Sequence, residues 1–309
     1  MTPRFSVILP AYNAAATLAR AIESVLEQSW PAHEIIVVDD GSTDHSASVA
    51  QGFGAAVTLL RQPNAGVSAA RNAGARAASG DWLAFLDADD WYYPQRLKLH
   101  AEWIAQDSTL DFLTGDYEYR DASGALLGTS LAQHALGQVL LAQAADPARV
   151  ILDAPADIQA FVADHFGDTH TLSVPRAAFM ALGGYPAGYK VCEDVHFLTR
   201  LVARSRRIGV ICAPLAVYVI HGGSATRRDP VAAQQENVRT LIDLTTLAED
   251  FPAPVKRGVQ QRLQHARYNL ACALSRNGQR SAAVQAILPS LIDQPGWRSL
   301  RDVLSVIRG

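Results

Sequence analysis

Residues 82–90 read Trp-Leu-Ala-Phe-Leu-Asp-Ala-Asp-Asp, a short apolar run that ends in three carboxylates within four positions. An apolar run of this length predicts a strand that is buried on both faces, as in a parallel sheet. A second run, Glu34-Ile-Ile-Val-Val, ends in the same way at Asp39-Asp40-Gly41. Because ligands bind beyond the carboxyl ends of parallel strands, these two ends predict one functional edge of a sheet.

The sequence around these runs alternates between strand and helix patterns. We predict further strands over 5–9 and 57–60, and helices over 15–28, 67–78 and 94–106. We expect Pro10 to end the first strand. Strands that alternate with helices at this interval predict βαβ units around a mainly parallel central sheet, and therefore an α/β fold.

The pattern changes in the second half of the chain. Residues 208–220 are typical of a strand and residues 193–203 of a helix, whereas the signal beyond about Arg228 is helical throughout. Residues 261–274 and 281–291, on either side of Asn277-Gly278, predict an αα-hairpin. We therefore expect a helical carboxyl-terminal region after the α/β part.

Composition excludes several classes of protein. The chain has 27 Lys and Arg against 30 Asp and Glu, a net charge of −3, which gives no general attraction to nucleic acid or to an anionic membrane surface. Cys192, Cys212 and Cys272 are far apart, so neither a disulfide framework nor a zinc site is indicated. No stretch of about 18 apolar residues predicts a membrane span, and residues 1–9 do not resemble a signal peptide.

The carboxylates of Asp87, Asp89 and Asp90 repel one another unless a cation or hydrogen bonds compensate. Mg²⁺ and Mn²⁺ prefer oxygen ligands, and magnesium usually keeps water and substrate phosphates in its shell. The triplet therefore fits a site that holds a diphosphate, and an acidic turn without metal is the alternative.

Two neighbouring segments extend this interpretation. Asp39 and Asp40 could accept hydrogen bonds from a base or a ribose, or could cap the next helix. Gly66 precedes a helix whose free amides suit phosphate, and Arg71 would add positive charge. The Gly-x-Gly-x-x-Gly and P-loop signatures are absent from the sequence, which disfavours hydride transfer and P-loop hydrolysis.

Four segments in this order resemble the family 2 glycosyltransferases. They are Ser6-Val-Ile-Leu-Pro-Ala-Tyr-Asn13, Ile35-Ile-Val-Val-Asp-Asp-Gly-Ser-Thr-Asp44, Asn64-Ala-Gly-Val-Ser-Ala-Ala-Arg-Asn72 and Phe85-Leu-Asp-Ala-Asp-Asp90. The resemblance covers roughly the first hundred residues. It implies a GT-A fold, a nucleotide-diphosphate sugar as donor, Mg²⁺ or Mn²⁺ as cofactor, and inversion at the anomeric carbon.

The resemblance also implies roles for the matching positions. Pro10, Tyr12 and Asp40 would frame the nucleobase, with Asp39 beside them and Tyr12 able to stack on the base. Arg71 would face phosphate.

In the acidic turn, the resemblance implies that one carboxylate ligates the metal and that a neighbour contacts the ribose. Asp89 and Asp90 are our predicted metal ligands, with Asp87 and Asp89 also predicted to contact the donor. The additional aspartate leaves the assignment open.

A weaker likeness continues to Glu193-Asp194. In the family the second acid of such a pair commonly acts as the catalytic base, so Asp194 is the predicted base and Glu193 the reserve. Cys192 precedes the pair, where family members often have a small residue. The segment that contains His221 and Arg227 resembles the one that often ends the catalytic domain in the family. His221 is predicted to contact the diphosphate or the metal, and the alternative is that it is a structural histidine.

These interpretations predict a catalytic domain over 1–226, with nucleotide-sugar binding in 1–110 and the acceptor side in 111–226, followed by a helical region over 227–309. The expected reaction moves a sugar from a nucleotide-diphosphate donor, UDP being the commonest in the family, to a hydroxyl of a glycan, polysaccharide or lipid-linked saccharide. The alternatives are a non-catalytic nucleotide-sugar-binding or scaffold protein of the same fold, which would not need a base, and a sugar nucleotidyltransferase. The latter requires a Gly-rich basic loop where this chain has Pro10-Ala-Tyr-Asn13.

The cysteine usage fits a reducing cytosol, so we expect a cytoplasmic protein. Any membrane contact would be peripheral, at the inner face, through the helical tail. The same tail could instead form a homo-oligomer, and no nucleic acid is expected as a partner.

Overall fold

A computed structural model of the chain describes residues 2–145, 148–222, 229–293 and 295–308. The strands are β1 (Phe5–Ala11), β2 (Glu34–Asp39), β3 (Thr58–Arg61), β4 (Trp82–Phe85), β5 (Trp91–Tyr92), β6 (Phe112–Asp121), β7 (Leu126–Thr129), β8 (Arg149–Leu152), β9 (Ser173–Pro175) and β10 (Ile208–Ile220). The helices are α1 (Leu18–Leu26), α2 (Ser46–Gly52), α3 (Val67–Ala77), α4 (Arg96–Gln106), α5 (Ser130–Gln133), α6 (Ala135–Gln143), α7 (Pro155–Asp164), α8 (Arg176–Ala181), α9 (Glu193–Val202), α10 (Pro230–Leu247), α11 (Ala253–Arg276), α12 (Arg280–Ile287), α13 (Pro289–Asp293) and α14 (Trp297–Arg308).

The described strands form a single sheet in the order β3-β2-β1-β4-β9-β6-β10-β5, with β7 added to β6 and β8 to β10. Strands β3, β2, β1 and β4 are parallel to one another. Strand β9 is antiparallel to both β4 and β6, and so it joins this parallel half to a second pair of parallel strands, β6 and β10. The predicted α/β class with a mainly parallel sheet is confirmed.

The prediction that Pro10 ends the first strand is wrong, since β1 continues through Pro10 to Ala11. The pairing with β4 stops at Ile8, whereas the pairing with β2 runs to Ala11. Pro10 therefore lies where β1 has one neighbouring strand, and a missing N–H group is tolerated at such a position.

Strand β1 is buried on both faces, as its continuous apolar sequence predicts. Val7 and Leu9 pack in one hydrophobic cluster with Ile22 of α1. Ile8, on the opposite face, packs in a second cluster with Ala70 of α3. The carboxyl ends of β1, β2 and β4 are thereby held between two helical layers.

The carboxyl-terminal helices share the main core. Leu241 of α10 and Val259 of α11 belong to the same hydrophobic cluster as Phe161 of α7. Helix α11 approaches α7 so closely that a Cβ atom on Gly258 would lie 2.7 Å from the carbonyl oxygen of Gln159. The predicted αα-hairpin is confirmed as α11 and α12.

The predicted domain boundary between 226 and 227 lies outside the described residues and stays a prediction. The described helices include none that is both long and apolar enough to cross a membrane.

Gly74 tests the packing of α3 on the sheet. A Cβ atom at this position would lie 2.5 Å from Cγ2 of Ile8, a fully buried side chain. Alanine in place of a helical glycine normally stabilises by up to ~1 kcal/mol, but overpacking a core costs ~1–3 kcal/mol. We expect Gly74→Ala to lower the free energy of unfolding by about 1 kcal/mol or more, measured by urea denaturation.

The matched control is Gly52→Ala, at the end of α2, where a Cβ atom would have no described atom within 4 Å. This control should be neutral or stabilising. A Gly74→Ala protein as stable as the unmodified chain would contradict the close contact of α3 with β1.

Candidate active site

A buried arginine joins the carboxyl end of β4 to the start of α9. Arg71 on α3 is 3% exposed. Its Nη2 donates to Oδ1 of Asp87 at 2.6 Å, and its Nη1 donates to Oε1 of Glu193 at 2.7 Å. The guanidinium also lies 5.1 Å from the centre of the Tyr185 ring. These contacts bring together segments that are 122 positions apart in the sequence.

The electrostatics of this group keep Arg71 charged. Burial opposes the charge, but the carboxylates of Asp87 and Glu193 outweigh it and hold the pKa of Arg71 above its ordinary value. Burial raises the pKa of Glu193, and the Arg71 charge offsets part of that effect. Since Nη1 and Nη2 both donate to carboxylates, the pairing disfavours the phosphate contact that we expected of Arg71. It also disfavours Glu193 as a reserve base, and both roles stay predictions.

Asp90 anchors the acidic turn to β10. Its side chain is 1% exposed, and Oδ1 accepts the backbone N–H of Val219 at 2.8 Å. Its Oδ2 has no hydrogen-bond partner among the described residues and lies 3.9 Å from Nδ1 of His170. Burial, followed by the charges of Asp89 and Asp87, raises the pKa of Asp90 well above its usual range. This position disfavours Asp90 as a metal ligand, a role that stays a prediction.

Asp89 is the accessible acid of the turn. Its side chain is 43% exposed, and Oδ2 lies 2.8 Å from Nε2 of His221. The carboxylate oxygen suits Mg²⁺ or Mn²⁺, whereas the imidazole nitrogen favours the softer Mn²⁺. Because such an ion takes further ligands from phosphates and water, one carboxylate and one histidine suffice to hold it. The pair therefore fits the predicted cofactor. Arg227, also predicted to contact phosphate, lies outside the described residues.

The predicted base lies in a second group of side chains. Asp194, near the start of α9, has a carboxylate oxygen within 4.8 Å of one of Asp168, and its Oδ1 accepts the N–H of Val195 at 2.7 Å. Burial, and then the charge of Asp168, raises the pKa of Asp194 to about 8. Tyr117 donates to Oδ2 of Asp168 at 2.9 Å, which fixes that carboxylate. The raised pKa makes the ionised form of Asp194 a stronger base than an ordinary aspartate, as the predicted role requires.

His165 completes this group. Its backbone is left-handed, with φ of 49°, and its Nε2 is buried with no hydrogen-bond partner among the described residues. Burial, followed by the nearby Arg262 charge, lowers the pKa of His165 well below its usual range, so the imidazole is neutral. A cavity of about 10 Å³ lies between His165, Asp168 and Asp194, which is room for about one water molecule.

The donor atoms of His165, Asp168 and Asp194 all lie within 4.8 Å of one another, a spacing that would also suit a cation. Within the described ranges this set meets that spacing and the Asp87–Asp90 turn does not. A cation there would occupy the lone pairs of the predicted base. The predicted metal ligands, Asp89 and Asp90, therefore stay a prediction, and of these two only Asp89 is accessible, beside His221.

The sequence motifs predict Asp194 but not its neighbours in this group. Asp168 and His165 lie 26 and 29 positions before Asp194. The segment between α7 and β9, which contains both residues, lies beside the start of α9, and side chains of the two segments line the same cavity.

Asp39 and Asp40 hold the loops that follow β2 and β3. Asp39 accepts the N–H of Ser42 and Nε of Arg61, each at 3.0 Å. Asp40 accepts the N–H of Gly66 at 2.8 Å. Both carboxylates are buried, at 1% and 3% exposed. Their contacts order the start of α3, and their predicted contact with a nucleobase or ribose is untested.

Tyr12 extends from the end of β1 and is 54% exposed, whereas Pro10 is buried within the strand. Asn13 follows in a left-handed conformation, and its Oδ1 accepts the N–H of Thr43 at 2.8 Å. The loops after β1 and β2 are therefore tied together at the edge where ligands bind in parallel sheets. An exposed Tyr12 ring at this edge is available for stacking, as the predicted nucleobase site requires.

Comparison with known proteins agrees with this geometry. The family model described as "Glycosyl transferase family 2" matches residues 6–128. The succinoglycan biosynthesis protein ExoU of Rhizobium meliloti is 30% identical over 268 residues, which cover 81% of this chain and 73% of that protein. The chain belongs to glycosyltransferase family 2.

Two solved structures share the fold of this family 2 glycosyltransferase. One is S. aureus TarS 1–349 in complex with UDP-GlcNAc, with a TM-score of 0.59 and 20% identity. The alignment covers 98% of this chain and 81% of the TarS chain. The mannosyltransferase PcManGT from Pyrobaculum calidifontis, in complex with GDP-Man and Mn²⁺, has a TM-score of 0.63 and 19% identity, with coverages of 100% and 86%. The predicted GT-A fold is confirmed.

Arg71→Met tests the buried ion pairs of this glycosyltransferase. Removing one partner of a buried ion pair leaves uncompensated charge and costs ~3–5 kcal/mol. We expect a loss of about 3 kcal/mol in the free energy of unfolding by urea denaturation, and partial recovery on adding Glu193→Gln. Arg4→Met, which breaks an exposed ion pair with Asp81, should change stability little. Equal effects of the two substitutions would contradict the role given to Arg71.

The pH dependence of transfer tests Asp194. A base works only when ionised, and the pKa of Asp194 is raised to about 8. The value of kcat/KM should therefore increase as the pH rises through about 8, and not in the usual aspartate range. Asp168→Asn removes a negative charge that contributes to this shift, so the ascending limb should move to lower pH. An ascending limb at unchanged pH in Asp168→Asn would contradict the coupling of the two carboxyl groups. The control is Asp250→Asn, at an exposed position, which should leave the limb unchanged.

Proposed function

We propose that the chain is a metal-dependent, inverting glycosyltransferase that uses a nucleotide-diphosphate sugar. The observation that carries this proposal is the Arg71 bridge, which holds the acidic turn after β4 beside the helix that bears Asp194. This arrangement supports a single site that combines a cation-binding acid with a proton acceptor. In a single displacement at an anomeric carbon, the acceptor takes the proton and the cation stabilises the leaving group.

In the proposed reaction Asp194 accepts the proton of the acceptor hydroxyl. The hydroxyl oxygen forms a bond with the anomeric carbon as the bond from that carbon to the diphosphate oxygen breaks. Asp89 and His221 would hold the cation, which when bound stabilises negative charge on the departing diphosphate. Tyr12 stacks on the nucleobase, and the Asp39 and Asp40 loops shape its surroundings.

The donor and the acceptor are proposed from relatives. TarS is in complex with UDP-GlcNAc and PcManGT with GDP-Man and Mn²⁺, so these proteins of the same fold bind donors with different nucleobases. We propose a UDP-sugar as the first donor to test. The name of the succinoglycan biosynthesis relative supports a glycan, polysaccharide or lipid-linked saccharide as acceptor. A cytoplasmic location is part of the same proposal.

A non-catalytic nucleotide-sugar-binding protein is the second candidate. Such a protein has no use for a carboxylate with a raised pKa, and the group around Asp194 therefore favours an enzyme.

Thermal shift with a panel of nucleotide sugars, with and without Mn²⁺, tests the donor site. Because a ligand that binds the folded state raises Tm, we expect a shift that needs both the sugar nucleotide and the metal. Asp89→Asn should remove the metal-dependent part, whereas the matched Asp250→Asn should retain it. If no nucleotide sugar shifts the Tm under either condition, the donor-site proposal is wrong.

Asp194→Asn separates catalysis from donor binding. Loss of a general base lowers kcat by ~10²–10⁴-fold, and we expect a decrease of this size with an unchanged donor-induced thermal shift. Product formation from a radiolabelled donor, with a mixture of oligosaccharide acceptors, provides the measurement. Transfer that persists in Asp194→Asn would exclude Asp194 as the base, and binding without turnover in the unmodified chain would favour the second candidate.

A further inference from the structure

Charge is strongly segregated along this chain. Residues 253–309 contain nine Lys or Arg and two Asp or Glu, a net charge of +7, whereas residues 1–252 contain 18 and 28, a net charge of −10. The overall charge of −3 hides this division. The helices from α11 onward therefore form a basic region on an acidic protein.

The last described helix of this region has two different apolar faces. Val303 of α14 is 3% exposed and packs in a small core with α11 and α12. Trp297, Leu300, Leu304 and Ile307 are exposed, and Trp297 is 87% exposed. At 3.6 residues per turn these four side chains fall within about 80° of one another around the helix axis. They form one continuous stripe, which we call the α14 stripe.

A cation and a further apolar side chain lie beside the α14 stripe. Arg301 is next to Trp297 on the helix and 77% exposed, and its Nη2 lies 3.5 Å from Oδ1 of the mostly covered Asp302. Ile292, on the preceding helix α13, is 83% exposed and adds a further apolar side chain to the same end of the molecule.

This region is attached firmly to the glycosyltransferase core. Helix α14 contacts α11 and α12, and α11 packs along α7 through the close approach at Gly258. Arg262 of α11 also donates to the carbonyl oxygen of Asp164, at the end of α7. A surface bound by the α14 stripe would therefore be held in a defined position relative to the active site.

We propose that the α14 stripe docks on an anionic lipid bilayer. An amphipathic helix with Trp and Leu on one side and arginine beside them lies in the interface of such a bilayer, with the apolar side chains among the acyl chains and the cations at the lipid phosphates. The +7 charge of the region complements that surface. This inference is independent of the proposed donor, acceptor and base.

A second copy of the chain fits the stripe less well. A helix of 12 residues is about 18 Å long, and one apolar stripe of this length offers much less than the ~800 Å² that each partner buries in a stable complex. In a symmetric dimer, moreover, each stripe would face another region of the same positive charge, which is repulsive.

Co-sedimentation of the full chain with lipid vesicles tests this proposal. We expect the chain to sediment with vesicles of phosphatidylcholine and phosphatidylglycerol but not with phosphatidylcholine alone, and to be released by high salt because salt screens the charges. The double variant Trp297→Ser/Leu304→Ser should bind roughly tenfold or more weakly, since it removes two of the four apolar side chains of the stripe, including its tryptophan. Arg301→Glu should also weaken binding.

The matched control is Leu26→Ser on α1, which replaces a leucine of similar exposure in the acidic part of the chain. It should bind vesicles as the unmodified chain does, and all variants should keep the Tm and the donor-induced thermal shift. The proposal would be overturned if the stripe variant sedimented with anionic vesicles as much as the unmodified chain does, or if the unmodified chain did not bind them. A dimer in the unmodified chain that becomes a monomer in the stripe variant, measured by light scattering, would assign the stripe to a second copy and overturn it as well.

Discussion

Arg71 carries a positive charge into the interior, where it is balanced by one carboxylate from the turn after β4 and one from the start of α9. A buried charge is tolerated only when it is paired with good geometry. If either acidic segment moved away, part of the positive charge of Arg71 would be left buried without a partner. Strand β9 and the contact of Asp90 with Val219 also connect the two halves of the sheet. Arg71 adds a direct ionic link between the acidic turn and the helix that bears Asp194.

Around Arg71, aspartates of the same chemistry differ in function because their surroundings differ. Asp40 and Asp90 are buried and accept backbone N–H groups, so they fix loops and strands. Asp89 is accessible beside a histidine, whereas burial and the neighbouring Asp168 raise the pKa of Asp194. Burial and neighbours, and not residue type, distinguish these roles.

Much of the fold follows from local sequence. The apolar runs of β1, β2 and β4 and the helices between them were predictable because buried parallel strands and amphipathic helices have strong periodic signals. The two-residue strand β5 has little signal of its own, since it forms by pairing with β10, which is distant in the sequence. Pro10 stays within β1 for the same reason, because only the arrangement of the neighbouring strands tells whether a missing N–H group matters.

The sequence by itself determined the family, the functional edge of the sheet and most candidate residues, because strand ends and short motifs are local features. Only the tertiary structure decided which of these side chains are available. In the folded chain Arg71 pairs with two acids, Asp90 is buried against β10, and Asp168 and His165 lie beside Asp194. It also showed which face of α14 is covered. Exposure, pairing and pKa depend on residues that are neighbours in space, and a pattern along one chain does not record them.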